Sequence, residues 1–239
     1  MFTQQSTNQR LVKSRLTRPC WIKRNCRQHM IKCPDNSGSM SGQKAIDASV
    51  ACSQLVRELA KPCNKGGFFV SVIDFADTAK LKHDCIPAED LVQNLKPIST
   101  GGGTNITAAL ELAIQLCKKA QKGDDTNIQW LRPVVVLFSD GGHNIGSQPG
   151  PVAKELRRIA DIVTIAYGSD ADIGLLREIA TSPQHHYKCN NGKDLRQFLA
   201  AVGETMTSTL ASGVDATKAL AHVQQISWGG SSNEIKPEQ

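Results

Sequence analysis

The sequence is poor in aromatic side chains and has no long hydrophobic run. Aromatic residues make up 5% of the 239 residues and hydrophobic residues 40%, so the core is expected to be mostly aliphatic. No segment approaches the roughly 18–20 consecutive apolar residues that a membrane-spanning helix needs. The first ten residues contain no apolar stretch of the kind found in secretion signals. These absences predict a cytoplasmic protein without a membrane segment.

Closely spaced cysteine pairs are also missing. None of the eight cysteines belongs to a C-x-x-C pair, which disfavours a zinc knuckle or a thioredoxin-type redox site. Cys52 and Cys117 fall on apolar helical stripes, where a free thiol behaves as a small buried hydrophobic group. Without a secretion signal, reduced thiols are the expectation, although the even number of cysteines leaves disulfides open.

Acidic residues are absent from residues 1–34, which hold eight lysines and arginines. The rest of the chain is close to neutral, so the net charge of +6 arises in this N-terminal segment. Such an arm could bind nucleic acid or another acidic surface. A solvated leader is the alternative, because Trp21 is the main aromatic residue among these charges. The sequence therefore leaves nucleic-acid binding through residues 1–28 as an open prediction.

One loop concentrates hard oxygen ligands. The D-x-S-x-S run at residues 35–39 places the Asp35 carboxylate beside the hydroxyl groups of Ser37 and Ser39. Small divalent cations such as Mg²⁺ prefer ligands of this kind and usually keep several of their waters. Two later segments could complete the set: a glycine-rich turn that presents Thr104, and an apolar strand that ends in Asp140.

The alternation of strand and helix patterns predicts an α/β fold, with a doubly wound, mostly parallel sheet and helices on both faces. Strands are predicted at 68–75, 133–139, 162–167 and 185–189, with a weaker strand at 80–86 that turns back antiparallel at one edge. Helices are predicted over about 42–60, 88–95 and 193–209, and from Thr104, Pro151 and Asp172. The first strand is expected to be short or irregular, because Lys32 is poorly suited to a buried strand and Pro34 cannot donate to a sheet ladder.

The three oxygen-bearing segments together resemble the metal-ion-dependent adhesion site of von Willebrand factor A (vWA) domains. Every position of that site is filled in order: Asp35, Ser37, Ser39, Thr104 and Asp140. The resemblance covers about residues 29–210, which leaves a basic extension at 1–28 and a polar tail at 211–239. It implies that the strands bearing the two aspartates are central neighbours. It also implies that a bound Mg²⁺ (less favourably Mn²⁺ or Ca²⁺) is completed by an Asp or Glu of a partner protein.

A narrower resemblance points to the bacterial stand-alone TerY-like proteins of the tellurium-resistance group, and with it to a stress-response or signalling complex. It rests on residues 165–172 (Ile-Ala-Tyr-Gly-Ser-Asp-Ala-Asp) and 175–180 (Leu-Leu-Arg-Glu-Ile-Ala). The sequence favours a binding module over an enzyme. Metal-assisted phosphoester hydrolysis stays open as an alternative, with His143 as the candidate base close to Asp140 in sequence.

Overall fold

The fold is a six-stranded sheet with helices on both faces, as seen in a computed structural model that describes residues 25–120 and 127–223. The strands are β1 (Cys26–Pro34), β2 (Phe68–Phe75), β3 (Ala79–Pro87), β4 (Gln129–Ser139), β5 (Asp161–Tyr167) and β6 (His186–Cys189). The helices are α1 (Gln43–Leu59), α2 (Ala88–Leu91), α3 (Ile106–Ala120), α4 (Gly150–Ile159), α5 (Ile173–Ile179), α6 (Gly192–Ser212) and α7 (Thr217–Leu220). The sheet order is β3-β2-β1-β4-β5-β6.

The predicted topology is confirmed. All neighbouring strands pair in parallel except β2 and β3, which form the antiparallel edge. β1 and β4 are adjacent in the centre of the sheet, so the loops after Pro34 and Ser139 leave the sheet side by side. The strand order also reverses at β1, and in open α/β sheets the carboxyl-end crevice at such a point is where ligands bind.

The first strand was expected to be short or irregular; it is irregular but not short. β1 is nine residues long, and its irregularity is confined to a register shift against β4 between Gln28 and Met30. The Gln28 side chain donates to the Arg132 carbonyl at 2.9 Å, so the shift does not leave that oxygen unpaired. Pro34 ends the strand, where its missing N–H group costs no internal ladder bond. The strand tolerates Lys32 in a buried position, with 6% exposure.

The two faces of the sheet carry separate aliphatic cores. Met30, Val136 and Ile165 point to one face and pack with α1 and α6. Ile31, Val135 and the residues in register with them point to the other face, where α3, α4 and α5 cover them. A strand that is buried on both faces reads as a continuous apolar run, which is why residues 133–139 were recognisable in the sequence. The sheet is thereby packed against helices on both faces.

The folded unit extends beyond the boundaries at 29 and 210 that the sequence suggests. Cys26 and Gln28 are buried within β1. At the other end α6 runs to Ser212, and Leu220 of α7 and Val223 pack into the core. The rest of the predicted basic arm (residues 1–24) and of the polar tail (residues 224–239) lies outside the described residues. None of the helices in the described part of the chain is long and apolar enough to cross a bilayer.

The cysteines of the described ranges are all free thiols. Cys52 and Cys117 are buried in the two cores, as predicted, with exposures of 2% and 0%. Burial raises the pKa of Cys117 to about 12, so this thiol stays protonated and behaves as a small apolar side chain.

Candidate functional site

The loop after β1 is held in place by the ends of the two strands beside it. The Asp35 N–H donates to the Phe138 carbonyl of β4 at 3.0 Å, and the Asn36 N–H donates to the Phe75 carbonyl of β2 at 2.7 Å. The Ser37 N–H then donates to Asp35 Oδ1 at 2.8 Å, which closes a tight turn around the carboxylate. Such aspartate turns are a local preference of the residue type. The backbone thus fixes the direction of the Asp35 side chain.

The predicted oxygen ligands of the loop converge on Asp140. The Ser37 and Ser39 hydroxyl groups are 2.9 Å apart, and Ser39 Oγ donates to Asp140 Oδ1 at 2.6 Å. Both aspartates are fully buried, whereas Ser39 is exposed. The two carboxylates therefore lie at the base of the site, and a hydroxyl group lies at its mouth.

Thr104 enters the same site from the glycine-rich turn. That turn pairs with the metal-site loop (residues 35–39, after β1) through two backbone hydrogen bonds. The Gly38 N–H donates to the Gly102 carbonyl at 2.9 Å, and the Gly101 N–H donates to the Asn36 carbonyl at 2.8 Å. A β-carbon at Gly141 would lie 3.5 Å from Ser39 Oγ and 3.9 Å from Thr104 Oγ1. The two hydroxyl groups therefore face the same glycine, and all the side chains predicted for the site meet at one place.

Four further residues shape the site without having been assigned to it from the sequence. Ser139 donates its hydroxyl to Asp35 Oδ2, and the Lys44 ammonium of α1 forms an ion pair with Asp140 Oδ2. Asn144 accepts from the Thr104 N–H at 2.8 Å, and Asp77 accepts from the Gly103 N–H at 2.6 Å. Ser139 and Asn144 lie within five residues of Asp140, so their closeness in the sequence could have identified them. Lys44 and Asp77 reach the site through the tertiary fold alone.

Electrostatics favour a cation at this site. Burial raises the pKa of the Asp35 carboxyl, although hydrogen bonds from Ser139 and Ser37 oppose that shift. A buried carboxylate is costly unless it is paired. Asp140 is paired with Lys44, but no lysine, arginine or histidine of the described ranges pairs with Asp35. A positive charge between the two aspartates would satisfy both.

The residues present fit a hard divalent cation. The ligand set is two carboxylates and three hydroxyl groups, and these are oxygen ligands of the type that Mg²⁺ and Ca²⁺ accept. Within residues 25–120 and 127–223, no group of three or more His, Cys, Asp or Glu side chains could hold a metal ion. A metal here would therefore depend on Ser37, Ser39 and Thr104 as much as on the aspartates.

His143 has a structural contact instead of a free basic nitrogen. The Ile106 N–H, in the first turn of α3, donates to His143 Nδ1 at 3.2 Å. The lone pair of that nitrogen is thus used at the helix start, so in the neutral ring the proton lies on Nε2. Nε2 is buried and has no hydrogen-bond partner among the described residues. This arrangement does not favour His143 as a general base, which needs an available lone pair within reach of a substrate proton.

The chain belongs to the von Willebrand factor type A domain family, whose model matches residues 31–201. Inter-alpha-trypsin inhibitor heavy chain H4 of Bos taurus is 27% identical over 157 residues, which cover 61% of this chain and 16% of that protein. The chain therefore spans about one sixth of the length of this curated relative.

Solved structures share the fold. Proximal thread matrix protein 1 of the mussel byssus, in a form with a zinc-occupied MIDAS motif, matches with a TM-score of 0.62 at 20% identity over 78% of this chain and 48% of that one. A von Willebrand factor type A protein from Catenulispora acidiphila matches with a TM-score of 0.65 at 14% identity, over 76% of this chain and 43% of that one. Domains of this family are typically adhesion or interaction modules, and their metal motifs bind divalent ions.

Proposed function

We propose that this chain is a metal-dependent protein-binding module. Asp35, Ser37, Ser39, Thr104 and Asp140 hold one Mg²⁺, and an Asp or Glu of a partner protein completes its coordination. The observation that carries the proposal is the convergence of the five side chains, with Ser39 Oγ 2.6 Å from Asp140 Oδ1 and both carboxylates buried beneath the exposed Ser39. The metal would supply an electrophilic centre at the surface, since most of its protein ligands are neutral.

The ligand set explains why a partner carboxylate is the expected ligand. Three of the five protein ligands are uncharged hydroxyl groups, which are weaker electron donors than carboxylates, so the ion stays electrophilic. Two aspartates balance the charge of one divalent ion, and Lys44 adds a further positive charge close to it. An acidic side chain from a second protein is therefore attracted to the loaded site. The zinc-occupied MIDAS motif of the mussel protein supports a metal at the corresponding motif here.

The metal step is tested by titrating Mg²⁺ into the purified chain in a calorimeter. Loss of outer-shell partners alone typically weakens metal binding by about 10–100-fold, so Asp35→Ala should weaken it by at least that much. Asp90→Ala is the matched control, because Asp90 is exposed on α2, which follows the antiparallel strand β3 and lies near the amino end of β2. Equal affinities for wild type and Asp35→Ala would show that these residues do not hold the ion.

The partner step is tested by a pull-down from lysate of the source cells, in Mg²⁺ and in EDTA. We expect a protein that is retained by wild type and Asp90→Ala in Mg²⁺ and is lost in EDTA or with Asp35→Ala. Equal retention under all conditions would contradict metal-bridged binding. The localisation in the cytoplasm, a role in bacterial stress response, and nucleic-acid binding by residues 1–28 remain predictions; the last is tested by the salt dependence of binding with and without that segment.

A further inference from the structure

A cavity lies on the α1 face of the sheet, apart from the site formed by the five oxygen ligands. It has a volume of about 280 Å³ and opens between the carboxyl-terminal halves of β1 and β2 and the segment 95–99. Ser49 of α1 accepts from the Ile98 N–H at 2.9 Å and holds that segment over the cavity. The lining is part apolar, with Val72, Leu95 and Ile98, and part strongly cationic.

Lys32 of β1 lines the cavity and is a buried cation that makes no salt bridge among the described residues, although the Asp74 carboxylate in the same lining interacts with it electrostatically. Its side chain is buried, with 6% exposure for the residue, in a central strand where an apolar residue would be expected. Among the described residues, no carboxylate oxygen lies within 4.0 Å of its ammonium group. Its polar neighbour on α1 is Cys52, a weak hydrogen-bond acceptor. Burying an ammonium group costs free energy unless an anion compensates it.

The charges around Lys32 add to this excess. Lys82 and Lys96 also line the cavity, and both are exposed at its rim. Among the described residues, Asp74 is the one acidic side chain of the lining; its carboxylate lies 3.9 Å from the Lys82 ammonium and also interacts electrostatically with Lys32. Burial, together with nearby lysines, lowers the pKa of His83, which keeps that ring neutral at pH 7. Three lysines thus face a single carboxylate, which leaves two positive charges unbalanced.

We propose that this cavity binds a small dianion that carries a phosphate group. Two unbalanced charges match a phosphate monoester or free phosphate near pH 7. In the part of the chain that the structure describes, the lining holds no arginine. Arginine recognises planar carboxylates through two parallel hydrogen bonds, whereas lysine binds phosphate as a point charge. A water occupies about 30 Å³ of liquid volume, so the cavity accommodates a phosphate group with a short organic part against the apolar wall.

The cavity adjoins the metal-site loop without sharing its ligands. Lys32 lies on β1 three residues before Asp35, which follows the end of that strand. Burial raises the pKa of Asp74 in the cavity, while Lys32, Lys82 and a hydrogen bond from Asn36 of the loop after β1 oppose that shift. Because none of the five oxygen ligands lines the cavity, the two sites can be tested separately by substitution. Measurements in EDTA remove any phosphate bound through a divalent ion, so they report on the cavity alone and do not depend on the proposed protein-binding function.

The test is a titration of inorganic phosphate in EDTA at constant ionic strength, followed by calorimetry and by the melting temperature. We expect saturable binding by wild type and binding at least ~10-fold weaker for Lys32→Met, since one charge-assisted hydrogen bond is lost. Lys96→Met changes an exposed residue and should also weaken binding, which covers the case in which Lys32→Met does not fold. Lys154→Met, an exposed change on α4, should bind like wild type.

Three results would overturn the proposal. In the first, wild type shows neither a saturable binding heat nor a shift of the melting temperature, even at a large excess of phosphate over protein. The second is an equal effect of phosphate on wild type, Lys32→Met and Lys96→Met, which would indicate a general salt effect. The third is tighter binding of succinate than of phosphate, which would assign the cavity to dicarboxylates instead.

Discussion

Replacing Lys44 with methionine should tighten Mg²⁺ binding. The Lys44 ammonium is paired with Asp140 Oδ2, and a divalent ion that takes Asp140 as a ligand must compete with it. Hydrogen bonds to charged groups contribute about 1.5–3 kcal/mol. The Lys44 side chain is 32% exposed, and water screens such a pair, so the lower end of that range applies. Since about 1.4 kcal/mol is a tenfold change in an equilibrium constant, we expect roughly tenfold tighter binding.

The same substitution should destabilise the metal-free protein. Without Lys44, the fully buried Asp140 carboxylate faces Asp35 with no cation close by among the described residues. A buried charge without a partner costs free energy. The melting temperature of Lys44→Met in EDTA should therefore fall below that of wild type, and Mg²⁺ should raise it by more than it raises the wild-type value.

Calorimetric titration of Mg²⁺ and thermal melts in EDTA measure these two effects separately. Lys154→Met is the matched control, because Lys154 is exposed on α4 and pairs with no acidic side chain of the described ranges. Weaker Mg²⁺ binding by Lys44→Met would refute the reasoning. It would mean that Lys44 orients the Asp140 carboxylate for the metal while the metal is bound, instead of occupying its place.

Three further substitutions test the supports of the site and of β1. Ser139→Ala removes the hydroxyl group that orients Asp35 and should weaken Mg²⁺ binding about tenfold. Ser169→Ala, which changes an exposed serine, should leave the Mg²⁺ affinity unchanged. An unchanged calorimetric affinity for Ser139→Ala would contradict the orienting role. Gly102→Ala should lower the unfolding free energy by about 1–2 kcal/mol, because φ at Gly102 is +80° and a β-carbon there would lie 2.5 Å from the Asp77 side chain. Gly101→Ala is the control, since a β-carbon at that position meets no neighbour within 4 Å. Equal urea midpoints for the two variants would argue against this strain. Burial lowers the pKa of His29 to about 4. As the pH falls below 6.5, the unfolded chain therefore binds a proton that the folded chain does not. The free energy of unfolding at pH 5 should be about 2 kcal/mol lower than at pH 7. Urea unfolding should show that His29→Gln loses this part of the acid sensitivity, and an identical pH dependence would disprove it.

Much of the fold could be predicted because its strands are buried on both faces. Residues 133–139 and 162–167 read as continuous apolar runs, and helical stripes such as the one through Cys117 mark the intervening helices. The first strand was harder to predict because Lys32 and Pro34 break that pattern. The structure accommodates both, Pro34 at the strand end and Lys32 beside a polar cavity, and neither environment is encoded by neighbouring residues.

The predicted side chains of the site could be found in the sequence because each stands next to a strand end or a glycine-rich turn. The supporting contacts could not, since Lys44 reaches Asp140 across 96 positions of the chain and Asp77 reaches Gly103 across 26. Such pairs depend on how α1 and the β2–β3 turn pack against the sheet. A lysine on an amphipathic helix otherwise reads as a solvated surface residue.

Lys44 connects the two halves of the proposed function. A divalent ion held by Asp35 and Asp140 is balanced by these two carboxylates, so the ammonium group leaves the loaded site with a net positive charge. The same group that competes with the metal would then attract the acidic residue of a partner. At saturating Mg²⁺, Lys44→Met should therefore bind the partner captured in Mg²⁺ more weakly than wild type does, even though it binds the metal more tightly. Opposite changes in the two affinities would separate this role from a simple loss of structure, which would weaken both. Stronger partner binding by the variant would show that the positive charge of Lys44 does not contribute to recognition.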